Sequence, residues 1–201
     1  MRILILAAAM TAWVAGTAAA EQSVDYKGRH IQTAPGEQGG ECLALVRKAI
    51  DMTAEFPPRQ RALAAEVKDL RCTPIPEDKR TNAVADNTIG VYTMTSPDRP
   101  GGYIRFPLKP GNLSAADVAI SLMGNGSYAR WHQGYLAAKG DPSAKATAQR
   151  YHAILTKSDQ KALISAECEL LENRRVATKA LDLGEKRLSA IGRQMSLRGC
   201  P

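Results

Sequence analysis

The sequence predicts an α+β fold: a mostly helical single domain with one β-hairpin and two disulfide-stapled helical hairpins. Three observations carry this. Four cysteines fall symmetrically about helix-breaking turns: Cys42 and Cys72 each lie fifteen residues from Pro57, and Cys168 and Cys200 each lie sixteen from Gly184. In an antiparallel helix pair, residues equidistant from the turn come opposite one another, where two sulfurs can meet the ~5.5–6 Å Cα separation that a disulfide requires. Apolar residues recur at helical spacing along most of the chain after Gly40. Two short segments, 89–95 and 103–108, instead carry the β-branched and aromatic content of strands.

Residues 1–20 read as a signal peptide. Arg2 supplies the positive start, 3–14 an apolar stretch, and Ala18-Ala19-Ala20 a small-residue cleavage site before Glu21. No later stretch is long and apolar enough to span a bilayer, which needs about 20 residues, so no transmembrane anchor is expected after cleavage. An even cysteine count in an exported chain favours disulfides over metal thiolates, and no C-x-x-C pair is present. Residues 21–40 are polar and hold Gly28, Pro35, Gly36, Gly39 and Gly40, so they read as an extended or poorly ordered arm before a single domain over 41–201.

The first helical hairpin is expected from Leu43, Val46 and Ile50 before the Pro57-Pro58 break, and from Leu63, Val67 and Leu70 after it. Pro74 and Pro76 stop it, and 79–87 is a polar loop. The two strand segments then make a β-hairpin with a long loop, and Pro107 ends the second strand or places it at an edge. Ser114 caps the next helix, with Asp117 at the position where an acid suits the helix dipole. Gly124-Asn125-Gly126 should weaken or break that helix, and Tyr128, Trp131 and Tyr135 resume its spacing. Asp141-Pro142 starts a segment carrying Tyr151, Ile154 and Leu155. Ser158 is expected to cap the first arm of the last hairpin, which turns at Gly184.

The formal net charge is +7. From Pro142 onward eleven Lys and Arg face six acids, interleaved rather than massed, which describes a solvated helix face or an attraction to anionic surfaces. No basic-aromatic module of a nucleic-acid reader is present, so no nucleic acid is expected as a partner. Neither a G-x-S-x-G elbow nor a phosphate-cradling glycine loop occurs, His30, His132 and His152 are scattered, and no cofactor is implied.

One constellation is more specific. A β-hairpin, then Leu113-Ser114 opening a helix, then a later helix with Glu167-Cys168-Glu169, resembles the zincin-like metallopeptidase domains of bacteria. There the first helix carries H-E-x-x-H, which holds zinc on two imidazoles, and the second supplies an acidic ligand. Matching the helix openings brings that pentapeptide onto Gly124-Asn125-Gly126-Ser127-Tyr128, with both histidines and the base absent; Glu167 matches the later acid. The resemblance implies a periplasmic or secreted pseudoenzyme whose former cleft, lined by Asn125, Ser127, Tyr128, Trp131 and Glu167, binds a peptide, protein or envelope component. Two alternatives stay open. One is a peptidase with rearranged ligands such as His132, His152 and Glu167, or a metal-free hydrolase. The other is a structural envelope component that holds anionic surfaces through the basic C-terminal helices.

Overall fold

The computed structural model describes residues 22–74, 90–96, 98–108 and 111–201. The segments expected to be a signal peptide (1–20) and a polar loop (79–87) lie outside them.

The chain enters through a β-hairpin where an arm without regular structure was expected. Strands β1 (Gln22–Tyr26) and β2 (Arg29–Thr33) pair antiparallel through Lys27 and Gly28, which both have positive φ, at 47° and 74°. Two such residues in succession make the type I′ turn whose twist matches a two-residue hairpin. The hydrophobic pattern hides it, because the inward positions of β2 are Arg29, Ile31 and Thr33, two of them polar.

Helix α1 (Glu37–Met52) follows, then a short 3₁₀ turn and helix α2 (Pro58–Ala64), which opens on a proline at its first position. Here the predicted helical hairpin is corrected. After Ala64 the chain does not continue as helix but becomes β3 (Asp69–Cys72), lying parallel to β2 on one side and parallel to β5 on the other. Leu63, Val67 and Leu70 are all buried as their spacing suggests, yet Leu70 and Cys72 also alternate with Asp69 and Arg71 at the period of a strand. Eight residues, 63 to 70, decide little by periodicity. Having both edges of β3 paired satisfies its backbone groups in the centre of the sheet. The Cys42–Cys72 disulfide therefore joins a helix to a strand, across a Cα separation of 5.8 Å.

Strands β4 (Val91–Ser96) and β5 (Arg99–Arg105) form the second hairpin, giving a five-stranded sheet of order β1-β2-β3-β5-β4. The turn is tighter than predicted, because the Gly101-Gly102 stretch belongs to β5 itself; the strand ends two residues before Pro107. Side chains of Ile31, Leu70 and Ile104 are fully buried on the helix-covered face, each contributing about 1.5–3 kcal/mol. Their neighbours His30, Gln32, Asp69, Arg71, Tyr103 and Arg105 point to the other face.

Helix α3 (Ala115–Ala138) is the central element. Ser114 and Asp117 form a reciprocal capping box at its start. It runs unbroken through Gly124-Asn125-Gly126, against expectation, because tertiary contacts offset the weak helix preference of the glycines. Asn125 Oδ1 accepts the Tyr92 backbone N–H at 2.6 Å, and its Nδ2 donates to the Gly90 and Ser121 carbonyls, tying mid-helix to β4. At the far end Tyr135 and Lys139 both donate to Asp98 in the β4–β5 turn.

A 3₁₀ turn opened by Asp141 leads to α4 (Lys145–Thr156), then α5 (Gln160–Ala180) and α6 (Glu185–Leu197). The cap of α5 is Asp159 rather than Ser158, its carboxylate accepting the Ala162 N–H. The α5–α6 hairpin turns at Gly184 as predicted, and Cys168–Cys200 staples it with Cα atoms 5.4 Å apart. The main core lies between the sheet and α1, α2 and α3, and a smaller cluster of Trp131, Ile154 and Ala166 joins α3 to α4 and α5.

Candidate functional site

A cavity of about 450 Å³ opens between α3 and the α5–α6 hairpin. Each wall is a helical stripe. From α3 come Asp117, Ile120, Ser121, Gly124, Asn125 and Tyr128; from α5 Leu170, Arg174 and Thr178; from α6 Arg187, Ala190, Ile191 and Gln194. Steps of three and four put each set on one helix face. Ile120, Met123, Leu170 and Ile191 make the interior apolar, and no Cβ narrows it at Gly124, where an added methyl would meet nothing within 4 Å. A second cavity of about 420 Å³ adjoins it, sharing Leu170 and Gln194 and extending past Leu171 to Leu197 and Arg198.

The five residues expected to line a cleft are divided by the fold. Tyr128 lines the first cavity half-buried; burial, and then the charge of Glu167, push its phenol up. Asn125 lines it too, with its amide committed to β4. Glu167 lines the second cavity, paired with Arg198 at 3.2 Å. Ser127 and Trp131 are corrections. Ser127 is buried on another side of α3, its hydroxyl bonded to the Met123 carbonyl, and Trp131 packs with Ile154 and Ala166 in the smaller core. A helix that runs straight through 124–131 turns about 100° per residue, so Ser127 and Trp131 fall on the side opposite Asn125, while Tyr128, three residues on, shares its face. Arg174, Arg187 and Gln194 were missed as a group, though the stripes 167/170/174/178 and 187/191/194/198 carry the signal.

The rim is held by Asp117. Its carboxylate accepts from the Ser114 hydroxyl and backbone N–H, and from Arg187 at 2.6 Å, linking the first turn of α3 to that of α6. Burial alone would raise this carboxyl; the Ser114 bonds and the Arg187 guanidinium outweigh it and hold it below the usual range. A carboxyl depressed in the fold contributes stability above its unfolded pKa of about 3.9, and loses it as pH falls through the folded value. Urea midpoints from pH 5 to 2.5 should therefore fall more steeply for the parent protein than for Asp117→Asn. Equal slopes would show that Asp117 adds nothing to the acid sensitivity.

Nothing at this site assembles the ligands of the alternative peptidase reading. His132 Nδ1 lies 3.2 Å from the Tyr92 hydroxyl, His152 rests against the Tyr135 ring, and Glu167 faces Arg198. Among the described residues no group of three or more His, Cys, Asp or Glu side chains could hold a metal ion, and no helix is long and apolar enough to cross a membrane. No protein-family model matches this chain, and neither a curated protein nor a solved structure matches it significantly.

Proposed function

We propose that this is an exported, non-catalytic protein of the periplasm or extracellular space that binds a peptide, protein or envelope component in the groove between α3 and the α5–α6 hairpin. The observation that carries it is the groove itself: an open, mostly apolar trough with polar groups at its edge, flanked by residues built to hold its shape. The zincin-like resemblance agrees in position, since Gly124, Asn125 and Tyr128 of the matched pentapeptide stand in its wall. Both disulfides suit an oxidising compartment.

The test uses Gly124→Leu, whose Cβ would meet nothing within 4 Å and whose side chain would extend into the trough, alongside Tyr128→Ala. Titrating the ligands selected from a randomised pentapeptide library, followed by the change in intrinsic fluorescence, should give saturable binding to the parent protein. Both variants should lose at least tenfold in affinity at an unchanged melting temperature. Binding indifferent to Gly124→Leu would place the ligand elsewhere, and chelator-sensitive peptide cleavage by the parent would end the non-catalytic reading.

A further inference from the structure

Resting on that reading of the groove, we infer that its ligand is an acidic peptide segment of four to five residues, with Arg174 as the anchor for its carboxylate. The charges around the groove point there. All three carboxylates on α5 are matched to a cation: Glu167 to Arg198, Glu169 to Arg59, and Glu172 to Arg175. Asp117 across the groove is matched to Arg187. Arg174 lines the cavity between Leu170 and Thr178, its neighbours one turn away on either side, and among the described residues it makes no ion pair or hydrogen bond. A guanidinium presents a planar fork that suits a carboxylate at two points.

The length follows from the two cavities. Together they run along α6 from Arg187 to Leu197, ten residues of helix or about 15 Å. Extended chain covers that distance in four to five residues at ~3.3 Å each. The apolar positions of such a segment would rest on Ile120, Leu170, Leu171 and Leu197, the last 86% exposed. Peptide is favoured over a lipid tail by the polar groups left within reach: Gln194 carries both a donor and an acceptor and lines both cavities, and Tyr128, with a phenol that can donate or accept, lines the first. A hydrocarbon chain would desolvate them without replacing their hydrogen bonds, whereas backbone amides can.

The experiment selects capped pentapeptides of randomised sequence on the immobilised full mature chain, on Arg174→Gln and on Gly124→Leu, and titrates the best of them in solution. Peptides with one Asp or Glu among apolar residues should dominate on the parent. Exchanging that acid for its amide, or using Arg174→Gln, should each weaken binding about threefold to fivefold, the range for a pair at an exposed guanidinium, with no further loss when both are combined. Arg174→Lys should restore part of it, and added salt should weaken the acidic peptide more than its amide. Selected peptides without acidic enrichment, blocked by Gly124→Leu yet indifferent to Arg174, would overturn the acidic ligand and leave the groove standing. Selection that yields only peptides indifferent to Gly124→Leu, or none, would overturn both. Vesicles containing phosphatidylglycerol form the last arm: binding to them that needs Arg174 and is blocked by Gly124→Leu, without selected peptides, would make the occupant a lipid headgroup instead.

Discussion

Replacing Gly126 by alanine should destabilise the protein by about 3 kcal/mol or more, at and beyond the upper end of ordinary overpacking. Its backbone passes so close to α2 that a methyl group there would sit 1.8 Å from the Leu63 carbonyl oxygen and 2.6 Å from its carbon. That neighbour is backbone and cannot swing away. Either α2 withdraws from α3, opening the core around Leu63, Ala64 and Leu122, or α3 bends. Alanine's better helix preference returns only about 0.5–1 kcal/mol. Gly124, two residues earlier on the same helix, is the control. Its added methyl meets nothing, so Gly124→Ala should be stabilising by about the same 0.5–1 kcal/mol. Urea unfolding of both variants checks the pair; a Gly126→Ala protein within about 1 kcal/mol of the parent would mean that the helices do not approach as described.

The second large effect lies in the disulfides. Each closes a loop of similar length, 30 and 32 residues in sequence separation, so chain entropy assigns each about 3–4 kcal/mol. The two should nevertheless differ when removed. Cys42 and Cys72 are 1% and 0% exposed and lie in the main core, where truncation also leaves space that close-packed neighbours cannot fill. Cys168 and Cys200 are partly exposed at the base of the α5–α6 hairpin, where water can fill the gap. The double variant Cys42→Ala/Cys72→Ala should lose more stability than Cys168→Ala/Cys200→Ala, measured by denaturant midpoints under the same conditions. The reverse order would show that the α5–α6 hairpin, not the helix–strand tie, is the weaker unit.

The Cys168–Cys200 pairing, the helical hairpin at Gly184, the Ser114 cap with Asp117, and the β4–β5 hairpin were legible in the sequence, because a cap bonds three residues ahead, a turn residue sets its own φ, and cysteines equidistant from a helical turn meet across it. Cys42 and Cys72 are bonded as expected, but between a helix and a strand rather than across the predicted helical hairpin. The α+β class and the burial of Leu63, Val67 and Leu70 followed in the same way.

What the tertiary structure decided was everything in which a distant partner outweighs a local preference. Residues 69–72 became a strand because β2 and β5 offered both of their edges to it, and 22–33 became a hairpin whose inward polar residues concealed it. Gly124 and Gly126 stayed helical because α2 packs on one side and β4 holds Asn125 on another. The same straight helix separated Ser127 and Trp131 from Asn125 and Tyr128, and set the latter opposite Arg174 and Gln194, some fifty to seventy residues along the chain. A sequence pattern shows which face a residue occupies on its own helix. Only packing, through the contacts that bring α3 against α5 and α6, determines which faces meet and what lies between them.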